Sequence, residues 1–161
     1  WHRVCPGELL VPPGPQDPPG AANAVPVHLP VMRPDGIRYY YVGQGGLRLA
    51  HFRPDGFAGM APEDPQAPAV VETRFVRCTG RFLHVNVDAA RGSLRVNLIS
   101  QSRYDDDGRL ALDDCEPVAG DVVDGVVRWR TGGDLSRLVG YPVRLIFELK
   151  TATLYSFWFA D

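Results

Sequence analysis

Period-two alternation is the feature that most constrains this chain. Across residues 81–88, Leu83, Val85 and Val87 alternate with Phe82, His84, Asn86 and Asp88. Across 142–150, Val143, Leu145, Phe147 and Leu149 alternate with Arg144, Ile146, Glu148 and Lys150. Successive side chains of a β-strand point to opposite faces, so each run turns one apolar face to a core. Further strands are predicted at 70–78, 93–100, 122–129 and 153–159. The segment 89–92 is short enough to be a hairpin loop between 81–88 and 93–100. Only 134–139 reads as a helical turn. Six closely spaced strands without intervening helices imply an all-β fold, an antiparallel β-sandwich over residues 70–161.

The first part of the chain has a different character. Of 15 prolines, only Pro117 and Pro142 lie beyond residue 68. Proline fixes φ and removes a backbone donor, so residues 1–24, with PPGPQDPPGAANA at 12–24, read as an extended segment, and 57–69 as a second Pro-rich connection. Between them, in a section spanning 25–69, three short strands are predicted at 25–32, 37–42 and 47–52. The tetrapeptide Arg-Pro-Asp-Gly occurs twice, at 33–36 and 53–56. Its residue order matches positions i to i+3 of a type I turn. Three strands in about 30 residues bury too little surface to stand alone. This strand-and-loop extension is expected to pack on the sandwich, on a neighbouring domain or on another subunit.

Composition narrows the functional classes. The formal net charge of −2 argues against a nucleic-acid partner, which requires a basic face. No apolar run approaches the roughly 20 residues of a membrane span. The chain opens on Trp1 without a leader-like n-region and h-region, and reads as a processed or trimmed piece of a longer product, with an extracellular location slightly favoured. Cys5, Cys78 and Cys115 are too widely spaced for a zinc finger, and their number leaves one disulfide with a leftover thiol, or three free thiols, both open. The four histidines are scattered, and no Gly-x-Ser-x-Gly elbow surrounds a serine.

The stretch from 79 to 161 contains GRFLHVNVDAARGSLRVNLI, DDDGRLALDDCEPVAGDVVDGVVRW and DLSRLVGYPVRLIFELKTATLYSFWFAD. Taken together, these strings resemble the concanavalin-like, jelly-roll-type β-sandwich that follows the five-bladed propeller in proteins related to glycoside hydrolase families 32 and 43. Upstream, GLRLAHFRPDGFAGM resembles the segment joining the last blade to that sandwich, and IRYYYVG resembles a blade strand. The resemblance covers residues 37–161. It implies that catalysis belongs to a propeller, through acidic residues that have no counterpart here. The chain has Arg-Pro-Asp twice and Cys115-Glu116, where the family has Arg-Asp-Pro and Glu-Cys. A non-catalytic module with a structural or protein-interaction role is therefore expected, with carbohydrate binding as the alternative and an intact hydrolase ranked last.

Candidate site residues follow from these readings. Tyr104, Asp105, Asp106, Asp107, Trp129 and Tyr155 form a candidate ligand set, aromatic faces for sugar stacking beside carboxylates. An Asp-rich loop also offers oxygen ligands to calcium, but the EF-hand pattern is absent, so a turn is the plainer reading and no cofactor is expected. Tyr39, Tyr40 and Tyr41 and the group Phe157, Trp158 and Phe159 are candidates for an interaction surface, since each set covers both faces of its strand. In 153–159, the residues at 155, 157 and 159 are expected on one face, with Leu154 and Trp158 on the other.

Overall fold

The computed structural model describes residues 9–12, 25–43, 46–101 and 110–161. Among them the regular elements are antiparallel strands and two short 3-10 turns. The chain divides into two compact units between Ala58 and Gly59.

The first unit contains β1 (Val25–Pro26), β2 (Val31–Arg33), β3 (Gly36–Gly43) and β4 (Gly46–Phe52). Strand β3 is central, pairing with β1 and β2 along one edge and with β4 along the other. The first Arg-Pro-Asp-Gly makes the tight β2–β3 turn, with Arg33 opposite Gly36. Gly36 has φ +143, and a Cβ there would lie 2.5 Å from the Phe52 carbonyl oxygen, so only glycine fits. The second copy closes differently from the expected type I turn. Gly56 N donates to Arg53 O at 3.0 Å, but Asp55 at position i+2 has φ +53. That is the left-handed conformation of a type II turn, which Asp tolerates better than most residues.

The second unit contains β5 (Ala69–Glu72), β6 (Val76–Arg77), β7 (Phe82–Ser100), β8 (Val118–Val126), β9 (Pro142–Lys150) and β10 (Thr153–Ala160). The 3-10 turns are Leu112–Asp114 and Ser136–Leu138, the latter within the predicted helical turn. Part of the expected linker also joins this unit, because Met60 bridges Leu154 through reciprocal backbone hydrogen bonds of 2.8 and 2.9 Å.

The organising element is β7. Residues 89–92, expected as a hairpin loop, instead continue a single strand of 19 residues. Its first half pairs with β10, from Phe82 opposite Ala160 to Asp88 opposite Thr153, and with β8. Its second half pairs with β9, from Ser93 opposite Lys150 to Ser100 opposite Val143, while β5 and β6 extend the sheet beyond β9. One strand thus serves both layers of an antiparallel sandwich. The inward side chains are Leu83, Val85, Val87 and Ala89 before the bend, then Leu94, Val96 and Leu98 after it. The parity switches from odd to even at an irregularity between Ala89 and Leu94, the signature of a bulge that turns a strand through a corner. These residues meet Val143, Leu145, Phe147, Leu149 and Trp129 in one core. Each buried Val, Leu or Phe contributes about 1.5–3 kcal/mol.

The corner requires Gly92. A Cβ on it would collide with the Lys150 carbonyl oxygen, just where the chain leaves β9 for β10. Overpacking against backbone cannot be relieved by a rotamer change, so Gly92→Ala is expected to destabilise the sandwich by at least about 2 kcal/mol in denaturant titration. A neutral substitution would show that the corner has room to yield.

Cys78 and Cys115 carry free, buried thiols, and Cys5 lies outside the described residues. Val96 N–H donates to Cys115 Sγ at 3.2 Å, while Cys78 Sγ donates to Gly80 O at 3.4 Å. Burial pushes both thiols above their ordinary value. The folded chain therefore holds these protons more tightly than the unfolded chain. The resulting stability is complete below the unfolded thiol range, about 8.5, and is lost as pH rises through the folded values. In a Cys5→Ser protein at pH 8, neither thiol is expected to react with a disulfide reagent until denaturant is added. Rapid labelling of the folded protein would contradict this placement.

Candidate functional site

The sheet of the first unit sorts its residues by parity. Cross-strand partners share a face, so Tyr40 and Val42 on β3 lie beside Leu49 and Leu47 on β4, with Val31 of β2 opposite Arg38 on the same side. All five apolar residues are exposed, Leu47 at 67% and Leu49 at 51%. The other face carries Ile37, Tyr39, Tyr41 and Phe52. Ile37 is buried, and Phe52 packs with Tyr39 edge-on at 6.5 Å and with Phe57 at 5.2 Å. The three consecutive tyrosines are thus split. Tyr39 and Tyr41 belong to the side with the packed aromatics, and Tyr40 belongs to an open apolar stripe. Tyr40 with Leu49 and Val42 with Leu47 thus form two adjacent cross-strand pairs of exposed apolar side chains.

In the second unit a bulge rearranges the aromatic strand. Leu154 lies opposite Val87 and Ser156 opposite Asn86, so Tyr155 is the extra residue. After it, Phe157 and Phe159 face inward beside Leu154, and Phe157 packs on Phe147 with ring centres 5.2 Å apart. The expected grouping of 155, 157 and 159 against 154 and 158 is corrected by that one residue. Trp158 takes the outer face, opposite His84, and the two rings stack at 5.4 Å and 23°.

The outer face also carries a carboxylate–imidazole pair. Between Val85 and Val87 of β7, two β8 residues, Val123 and Asp124, oppose Asn86 alone. This second bulge brings Asp124 Oδ1 to 2.5 Å from His84 Nδ1. A carboxylate at one ring nitrogen fixes the orientation of an imidazole. Flanked by Trp158, this pair ties β8, β7 and β10 together. A nearby exposed pair, Arg81 with Asp134 at 3.0 Å, holds the Asp134 carboxyl below its ordinary range, first through the hydrogen bond from Arg81 and then through that from Ser136 N.

Of the expected ligand set, only Trp129 and Tyr155 lie among the described residues. Tyr104, Asp105, Asp106 and Asp107 lie outside the described residues. Trp129 is 1% exposed, and its Nε1 donates to Val96 O at 3.0 Å, so it has no open ring face for a sugar. Tyr155 is half-buried in its bulge. Among the described residues no group of three or more His, Cys, Asp or Glu is placed to hold a metal ion, and no helix is long and apolar enough to cross a membrane. Comparison with family models, with curated proteins and with solved structures gave no match.

These placements separate two tryptophans. Trp129→Ala removes a core side chain and strands a carbonyl, and is expected to cost about 3–5 kcal/mol in thermal or chemical unfolding. Trp158→Ala, on the outer face, is expected to cost less than half as much. Equal effects would contradict the inward and outward assignments.

Proposed function

We propose that this chain is a non-catalytic β-sandwich module whose role is to hold a neighbouring protein domain or subunit. The observation that supports the reading is the open stripe of Val31, Tyr40, Val42, Leu47 and Leu49 on one face of the N-terminal sheet. Its outward apolar residues favour association with another apolar surface rather than with a charged polymer. Burying the exposed parts of Leu47 and Leu49 is worth about 1–2 kcal/mol each, enough to drive docking when neighbouring residues join. The resemblance to the closing sandwich of glycosidase-like proteins agrees with this role, since that module accompanies an active site carried elsewhere.

An open apolar face makes a purified chain associate with its own copies at high concentration. Sedimentation is therefore expected to show an apparent mass that rises with concentration for the natural sequence. The double substitution Leu47→Glu and Leu49→Glu, at exposed positions, should abolish that rise while leaving the circular dichroism unchanged. A strictly monomeric natural chain up to millimolar concentration, indistinguishable from the variant, would overturn the proposal. Saturable binding of a neutral oligosaccharide by such a monomer would favour the lectin-like alternative.

A further inference from the structure

A cleft of about 350 Å³ lies at the corner of the sandwich, outside the bend of β7 and beside the passage from β9 to β10. It is lined by Asp88 and Arg91 from β7, Thr151 and Thr153 from the crossing, and Pro62 and Pro65 from the preceding loop. The volume is at the small end of ligand sites, suited to a single compact molecule. Three observations define what it would take. Asp88 and Arg91 have opposite charge, and among the described residues neither forms an ion pair, with each other or with any other group. Asp88 Oδ1 accepts from Ala90 N at 3.1 Å, which orients the carboxylate and leaves its second oxygen to accept a donor. Thr151 is a β-branched residue held at φ +47, while its hydroxyl donates to Pro65 O at 3.2 Å and so pins the proline wall to the corner. Backbone strain of this kind is concentrated at sites where a side chain must be presented in one position.

We propose that this cleft binds a small zwitterion of the free α-amino acid class. The Arg91 guanidinium presents the planar fork that matches a carboxylate. Asp88 accepts from an ammonium group, and the prolines receive a compact apolar side chain. An ion of one sign would leave one of the two protein charges uncompensated, whereas a zwitterion satisfies both. This assignment is independent of the docking face, which belongs to the other unit.

The test is an amide chemical-shift titration of the whole chain with three probes: L-leucine, N-acetyl-L-leucine, which lacks the ammonium, and L-leucine amide, which lacks the carboxylate. Leucine is expected to shift the amides of residues 88–91 and 151–153 saturably, with at least tenfold weaker binding of either blocked probe. Arg91→Met, at an exposed position, should remove the response without altering shifts elsewhere. Asp88→Asn, which keeps the oxygen that Ala90 needs, should remove the preference for leucine over the acetylated probe. The proposal is overturned if leucine gives no local shift at millimolar concentration, or if the acetylated probe binds as well as leucine. It is equally overturned if Arg91→Met responds like the natural chain, or if glucuronate, an anionic polyol, binds more tightly than leucine.

Discussion

The close approach of Gly92 to the carbonyl of Lys150 is the contact on which the sandwich depends. Two segments cross from one layer to the other at the same corner: β7 through 89–92, and the chain leaving β9 for β10. They pass at backbone distance because one of them has no side chain. That proximity lets β7 keep β10 as the partner of its first half and β9 as the partner of its second. The bulge at the corner reverses parity, so Val87 and Leu94 both point into the same core despite their odd separation. Without the reversal, one half of β7 would turn its apolar face to water.

Much of the sandwich was legible in the sequence because burial there follows a strict period. The prediction for 142–150 coincides with β9, and the inward set Val143, Leu145, Phe147 and Leu149 is buried as the alternation requires. What could not be read was where the period slips. A β-bulge adds a single residue and has no obligatory residue type, so Tyr155 looked like one more aromatic in a regular strand. Residues 89–92, Ala-Ala-Arg-Gly, are as short and small as a hairpin loop, and composition does not distinguish a turn between strands from a bent continuation of one. The fate of Trp129 was hidden for another reason. An indole suits a sugar platform or a core with a carbonyl acceptor, and only the position of Val96 decides between them.

The candidate sites were legible to a lesser degree. The tyrosine triplet singles out Tyr40 in the sequence, but the open stripe depends on Leu47 and Leu49, which lie on the other arm of the β3–β4 pair. Their side of the sheet follows from the pairing register, which the tetrapeptide turns constrain only indirectly. Likewise, Asp124 and His84 are 40 residues apart and meet through a bulge on β8. The same device, extra residues in a strand (one at Asp124 and at Tyr155, more at the corner), thus aims Asp124, displaces Tyr155 and turns β7. The two units differ accordingly: crossed strands close a buried core in one, and the sheet of the other carries exposed apolar residues on one face.

The most direct check is a map of nuclear Overhauser contacts between backbone protons along residues 82–100. A single bent β7 requires cross-strand contacts from the first half to 153–160 and from the second half to 142–150, with none between 82–88 and 93–100. Contacts pairing those two halves with each other, as in a hairpin closed at 89–92, would contradict it.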